Sequence, residues 1–362
     1  MKIGVLGSGQ LGRMLALSAY PLGHEMRFLA SSEEDPSSLL GNTFIQNGNQ
    51  EIIEDFAYNS DVVTYESENT AVSIVKEISH KTIVYPSAKS LYITQHRGRE
   101  KALFDKLNIP CAPYQIVNNL SELKIAVENI GLPAILKTAT DGYDGKGQFL
   151  IQSDSQLDQA WESMSGVESI LEGFVNFKRE LSLVAVRGVD NSHEYYPLVE
   201  NSHHNGILRL TIAPAQNISP KLQQQAESYM RSLLDEMNHV GVLTIELFET
   251  DNNLVVNEMA PRVHNSGHWT IEGARTSQFE NHIRAITETP LGDTSCTHKY
   301  SAMINIIGEQ GPIDKALTLK NAHLHLYNKT EREGRKLGHI TITANTLDDL
   351  NTSLETLSDF MP

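Results

Sequence analysis

The chain is 362 residues long, 40% hydrophobic and 20% charged, with a formal net charge of −16. That length supports two or three domains with cores of their own. The acidic balance opposes nucleic acid and anionic membrane, whose phosphates it repels, and leaves small anionic ligands only where basic residues cluster. Two cysteines, Cys111 and Cys296, lack metal-type spacing and point to a reducing cytoplasm. No apolar run approaches the roughly 20 residues of a membrane helix, and MKIGVLGSGQ reads as a strand and turn rather than a signal peptide.

Lys2–Leu6 is a short apolar strand, Gly7-Ser8-Gly9-Gln10-Leu11-Gly12 a turn, and Arg13–Tyr20 a helix. Strand, GxGxxG and helix together suit an anion at a helix N-terminus, as in dinucleotide sites. The pattern alone is weak. The second strand, Glu25–Ala30, runs into Ser31-Ser32 where an acidic residue for a ribose belongs, with Glu33 slightly late. Asp61–Tyr65 and Thr82–Tyr85 add strands, so residues 1–95 read as an open α/β unit with a crevice at the strand ends. Glu66 and Glu68 follow one of these strands and read first as solvated loop acids.

A helix over Gln95–Leu107 carries Arg97, Arg99 and Lys101 in its first half and stops at Asn108-Ile109-Pro110. Cations near a helix start oppose its dipole; a nearby anion explains them, although a solvated basic face is the default. Leu132–Thr138 is an apolar strand with Lys137 inside it, and buried lysines are rare unless paired. The loop ATDGYDGKGQ, Ala139–Gln148, holds three glycines and Lys146 but no GxxxxGK[ST] pattern. With Phe149–Gln152 returning as a strand, it reads as a flexible phosphate lid. Gln156–Met164 is an amphipathic helix, Ser169–Phe174 an apolar run carrying Glu172, and Glu180–Arg187 a strand with one wet face. His203 and His204 occupy what reads as a loop, and Pro220–Asn238 is a long helix.

The runs LTIELF and LVVNEM flank Asp251-Asn252-Asn253, a hairpin signal. With those three residues as the loop, Thr250 faces Leu254 and Glu246 faces Glu258. Opposed side chains lie ~5 Å apart at Cβ, and like charges there destabilise the pair. Two carboxylates among apolar residues need a cation or a shared proton, and Mg²⁺ carrying nucleotide phosphates suits such ligands. A solvated hairpin face with two unrelated glutamates stands level with that reading on the hairpin alone. Arg262, His264, Asn265, Ser266 and His268 follow directly, a donor-rich cluster suited to a phosphorylated ligand beside a metal. Ser301–Ile307 and His323–Tyr327 are further strands. Lys329, Arg332, Arg335, Lys336 and His339 form a basic island whose Gly334 and Gly338 favour a phosphate-gripping loop over a merely solvated face.

Taken together, Lys137 on its strand, the loop Gly142–Gln148, Glu172–Val175, Glu180 and the Glu246/Glu258 pair followed by Ala-Pro-Arg resemble the ATP-grasp superfamily. GSGQLGRML, GYDGKGQ, NEMAPRVHNSGHWT and GRKLGH narrow the resemblance, over nearly all of the chain, to the N5-carboxyaminoimidazole ribonucleotide synthetase family. The implied fold is α/β, and α+β in the ATP-grasp part. It comprises an N-terminal open parallel domain (1–95), a central ATP-grasp lobe with the glycine-rich lid (96–175), and a C-terminal lobe with the metal hairpin and substrate-phosphate loop (176–362), ending in a small β-rich segment. The implied reaction is ATP-dependent carboxylation of aminoimidazole ribonucleotide by bicarbonate, through carboxyphosphate, in purine biosynthesis. The resemblance further implies a cytoplasmic homodimer using small-molecule substrates, with no nucleic acid and no membrane.

By the same resemblance, ATP is expected to meet Arg97, Lys137, Gly142, Tyr143, Asp144, Gly145, Lys146, Gly147, Gln148, Glu172, Gly173, Phe174, Val175, Glu180, His203, Asn257 and Glu258. Glu246 and Glu258 are expected to hold Mg²⁺, or Mn²⁺ in its place. The ribonucleotide is expected at Glu66, Tyr143, Arg262, His264, Asn265, Ser266, Lys329, Arg335 and Lys336. Asp144, Lys146, Arg262 and Lys329 are the expected catalytic groups, with Asp144 steering the amine proton. Family members carry a proline before the final GRK where this chain has Glu331-Arg332-Glu333, and they tend to continue further, so a short C-terminal tail is expected to be missing. Three other readings compete: a formate-using ribonucleotide transformylase, an NAD-dependent oxidoreductase built on GSGQLG, and a non-catalytic nucleotide sensor.

Overall fold

A computed structural model describes residues 1–140, 142, 147–251 and 253–361. Three sheets organise it. The first is parallel, in the order Asn42–Ile45, Glu25–Ala30, Lys2–Leu6, Val62–Tyr65, Ile83–Val84. Its inner strands are buried on both faces, which is why they read as unbroken apolar runs. The edge strand Asn42–Ile45 is short and only half buried, and its sequence carries no such signal. Helix Gln10–Ala19 starts before Arg13, so the second half of GSGQLG is already its first turn.

The second sheet is antiparallel, ordered Tyr114–Val117, Ser169–Gly173, Ala134–Thr138, Gln148–Ile151. Helices Leu120–Ile130 and Leu157–Ser163 cover it through Leu123, Ala126, Leu157 and Ala160. The third sheet is antiparallel and nine-stranded. Its order is Leu254–Ala260, Gly241–Glu249, Arg179–Arg187, Val199–His204, Ile207–Ala213, Tyr300–Ile307, Lys336–Ala344, Ala322–Leu326, with His193–Tyr195 also on Arg179–Arg187. The C-terminal β-rich segment therefore continues the large sheet. Two expectations fail here. His203 lies on a strand rather than in a loop, beside a bulge at Ser202/His203, and Lys336 opens a nine-residue strand rather than sitting inside a loop. Helix Pro220–Met237 is bounded as its sequence demands: Ser219 accepts from the Leu222 N–H, Pro220 begins it, and Asn238 ends it at φ 48°.

The parallel sheet and the large sheet share one core. Ile3, Met14 and Phe28 pack in the same cluster as Val184, Val242, Phe279 and Ile283. His282, on helix Gln278–Ile286, spans the two. Its Nδ1 accepts from the Val242 N–H at 3.1 Å, so its Nε2 carries the proton and donates to Thr64 Oγ1 at 2.8 Å. His239 is set likewise, Nε2 donating to the Val242 carbonyl at 3.0 Å and Nδ1 accepting from Ser90 at 3.1 Å. No helix among the described residues is long and apolar enough to cross a membrane.

Burial above all pushes His239 down to about 4 and His282 down to about 3. Unfolded, each titrates near ~6.5. The unfolded chain thus binds more protons below that point. Stability should be full above about pH 6.5 and fall as pH drops toward the folded values, by roughly 1.4 kcal/mol per unit for each ring. Urea unfolding measured between about pH 7 and 5 should show this slope, and His282→Gln should remove one proton's share of it. A slope unchanged in that variant would dismiss the assignment.

Candidate active site

Glu246 and Glu258 are cross-strand partners, but the ladder reaches them by another route than the sequence suggests. Glu249, not Thr250, pairs with Leu254. Thr250 is engaged in the turn, where its N–H and its hydroxyl both donate to the Asn253 carbonyl at 3.0 Å. One surplus residue must then be absorbed, and Asn257 takes that role: Leu247 pairs with Val256 and Glu246 with Glu258. A bulge re-aims side chains, and this one sets the two carboxylates face to face.

Arg97 and Lys137 lie on one side of the pair. Arg97 Nη1 donates to Glu258 Oε2 at 2.7 Å, which overturns a solvated basic face for that residue. Burial opposes ionisation of both glutamates. At Glu258 the Arg97 guanidinium overrides burial and holds the carboxyl below its ordinary range. At Glu246, burial and the charge on Glu258 push the carboxyl up, so Glu246 is the one that protonates first. Lys137 is 8% exposed and donates to Glu172 Oε2 at 2.9 Å, an answer to its place inside an apolar strand. His203 Nδ1 lies 2.9 Å from Glu180 Oε2, an ion-pair contact. Burial works against charge on His203, but Glu180 and Glu246 together raise its pKa.

On the opposite side, a directed chain of hydrogen bonds ends at His264. Thr211 donates to Asn201 at 2.9 Å, Asn201 to Ser182 at 2.9 Å, and Ser182 to Ser266 at 2.7 Å. The Ser266 N–H points at His264 Nδ1, and its hydroxyl lies 2.8 Å from the same atom. His264 Nδ1 is therefore an acceptor, and the Nε2 proton faces Glu246 Oε1 at 3.4 Å. Burial first, then Arg262 and Lys336, pushes His264 down to about 3, which keeps this tautomer neutral.

Glu66 and Glu68 are not solvated loop acids. Glu66 accepts from the Gly9 N–H and, at 2.7 Å, from the Gly12 N–H. A Cβ on Gly7, Gly9 or Gly12 would lie 2.6, 2.9 or 3.2 Å from Glu66 side-chain atoms. The GxGxxG glycines thus make room for the protein's own carboxylate, which occupies the anion position of a dinucleotide turn. Glu68 receives both arms of Arg262, with Nη2 at 2.7 Å from Oε1. Lys329 donates to Gln10, and burial followed by Arg335 pushes its pKa down to about 8. Arg335 holds Thr330 Oγ1 at 2.6 Å. Asn265 and Asn305 exchange reciprocal amide hydrogen bonds of 3.0 and 2.7 Å.

All of this borders one cavity of 1410 Å³. Arg97, Lys137, Gly142, Gly147, Gln148, Glu180, His203, Asn257 and the two facing glutamates line one part of it. Glu66, Arg262, His264, Asn265, Lys329, Arg335 and Lys336 line the rest. Glu172, Gly173, Phe174, Val175 and Ser266 are not among the residues that line it: Glu172 and Ser266 are buried, whereas Phe174 is 48% exposed. Tyr143, Asp144, Gly145 and Lys146 lie outside the described residues. Sequence reasoning missed the stacked pair Phe177–Phe248, 4.5 Å apart at 14°, which also lines the cavity. It missed Glu100 as well, and it left Lys101 with the solvated face. Both are buried, and their spacing from Arg97 on one helix face was the available signal.

Known proteins match this arrangement along the whole chain. Residues 1–95 match the ribonucleotide synthetase preATP-grasp domain, 102–279 the ATP-grasp domain, and 301–353 the phosphoribosylaminoimidazole carboxylase C-terminal domain. The N5-carboxyaminoimidazole ribonucleotide synthase of Pseudomonas aeruginosa is 46% identical over 94% of each chain, and that of Bacillus subtilis 40% identical over 96% of this chain and 92% of its own. The crystal structure of the Thermus thermophilus synthetase superposes with a TM-score of 0.94 at 45% identity, covering 99% of this chain and 98% of that one. An Aspergillus clavatus synthase solved with ADP and 5-aminoimidazole ribonucleotide gives a TM-score of 0.91 at 32% identity, with 99% and 98% covered. At these identities and coverages, the chain belongs to the N5-carboxyaminoimidazole ribonucleotide synthase family of ATP-grasp enzymes.

Proposed function

We propose that the chain is a ligase that carboxylates 5-aminoimidazole ribonucleotide with bicarbonate, driven by ATP, in purine biosynthesis. The observation that carries this is the facing pair Glu246/Glu258, set where a cluster of nucleotide-side cations meets a cluster of substrate-side donors in one cavity. The units 1–95, 96–175 and 176–362 remain our proposed division of the chain. Unpaired Cys111 and Cys296 support a cytoplasmic setting, and a homodimer follows the family resemblance alone.

The donor set fits Mg²⁺. Two half-buried carboxylates face each other, and the neighbouring Asn257 Oδ1 is buried with no partner. No group of three His, Cys, Asp or Glu is assembled among the described residues. That suits an ion held by two carboxylates and completed by phosphate oxygens and water, better than a dedicated protein cage. Bound there, Mg²⁺ or Mn²⁺ neutralises phosphate charge. Arg97, Lys137 and the lid lysine Lys146 orient the triphosphate, so that its γ-phosphoryl passes to a bicarbonate oxygen and ADP leaves. The amine nitrogen attacks the carboxyl carbon of the resulting carboxyphosphate, or CO₂ released from it. A C–N bond forms, phosphate departs, and the amine proton is taken by Asp144. Arg262, held square by Glu68, grips the carboxylating species, while Lys329, Arg335 and Lys336 take the 5′-phosphate.

Phosphate release from ATP and bicarbonate should rise sharply when 5-aminoimidazole ribonucleotide is added, and formate should not replace bicarbonate. Release with formate alone would assign the chain to another ligase. Glu258→Gln should lower kcat by more than about 100-fold while far-UV circular dichroism stays native. Undiminished turnover would remove the metal assignment. Lys336→Ala should raise the ribonucleotide KM by about tenfold or more, the loss of one charge-assisted contact. An unchanged KM would take Lys336 out of the phosphate site.

A further inference from the structure

Strand Leu254–Ala260 is the edge of the nine-stranded sheet, so one side of it has no ladder partner. Residues 97–111 close that side. The Val256 N–H donates to the Pro110 carbonyl at 2.8 Å, with Cys111 bridging Val256. Beyond the bulge, three consecutive residues are each taken by a different side chain from one turn of helix Arg97–Lys106. Lys101 Nζ donates to the Asn257 carbonyl at 2.8 Å. Arg97 holds the Glu258 carboxylate. Glu100 Oε1 accepts from the Met259 N–H at 2.6 Å. Positions 97, 100 and 101 share one face of the helix, so a single rigid turn sets all three contacts.

Glu100 and Lys101 are 2% and 0% exposed, in a place where apolar side chains would fill the volume without desolvating any charge. What the polar groups add is direction. A bulge leaves its extra residue outside the ladder, and such a residue can turn. Here the peptide groups before and after Glu258 are both fastened. Lys101 also reaches Glu172 Oε2 at 3.6 Å, the oxygen that Lys137 holds at 2.9 Å. One ammonium thus joins the bulge in the large sheet to the Lys137–Glu172 pair in the four-stranded sheet.

We propose that Glu100 and Lys101 are positioning residues for Glu258: they fix the peptide groups on either side of it so that its carboxylate faces Glu246, and Lys101 ties that setting to the nucleotide-side lysine. This rests on Glu246 and Glu258 being the metal pair. The test follows Mn²⁺ binding to the full chain in the presence of ADP, by electron paramagnetic resonance of free Mn²⁺, together with steady-state KM values for ATP and for the ribonucleotide. Glu258→Gln comes first and should weaken Mn²⁺ binding by about tenfold or more. If it does not, the metal reading itself falls. Given that loss, Lys101→Met should weaken Mn²⁺ binding and raise the ATP KM by about tenfold, leave the ribonucleotide KM within about twofold, and be partly rescued as Lys101→Arg. Glu100→Ala, which frees only the Met259 N–H, should move the same two quantities and serves if Lys101→Met does not fold. A folded Lys101→Met or Glu100→Ala protein with unchanged Mn²⁺ affinity and ATP KM, whatever its thermal stability, overturns the proposal.

Discussion

Two carboxylates that face each other across one ladder cannot both be charged without help, and the architecture around the cavity answers that constraint. Help comes from three directions. Arg97 neutralises Glu258 directly, the neutral His264 offers Glu246 an N–H rather than a charge, and burial together with Glu258 raises the pKa of Glu246. The pair is consequently uneven: Arg97 favours the ionised form of Glu258, while burial and the Glu258 charge favour the protonated form of Glu246. Such a site favours a divalent ion that brings its own anionic ligands, which is how an ATP–metal complex presents itself.

Much of this was legible in the sequence because it rests on short-range rules. Strands Lys2–Leu6 and Glu25–Ala30 begin and end where their apolar runs do. Helix Pro220–Met237 follows its cap and its αL terminator. The facing of Glu246 and Glu258 was legible too, although for an incomplete reason. Counting from a three-residue loop reaches the pair only because the tighter turn at Thr250–Asn253 is compensated by the bulge at Asn257. Two deviations cancel, and neither leaves a mark that local propensity can read.

The remainder depends on contacts distant in sequence. Nothing near Gly7–Gly12 shows that Glu66, more than fifty residues on, fills the anion position of the turn, so the motif suggests a dinucleotide that the folded chain has no room for. His203 reads as a loop residue because its strand, Val199–His204, is polar in every position but the first. The chain Thr211–Asn201–Ser182–Ser266–His264 joins four separate segments and fixes one tautomer. Tyr143–Lys146 fall outside the described residues, so the lid remains a proposal founded on its sequence.

The continuity of the large sheet gives the cavity a common frame. Glu180, His203, Glu246, Glu258 and Lys336 all stand on its strands, and Arg262–Asn265 leave directly from the end of one of them. The facing glutamates and the donors after Ala260 are therefore graduations on a single ruler, whose spacing is set by strand register. Lys137, Gly147 and Gln148 are measured from a different origin, the four-stranded sheet. The placement of Lys137 against the facing glutamates thus reduces to one quantity, the offset between two sheets, and the Lys101 ammonium sits on the line along which that offset is read.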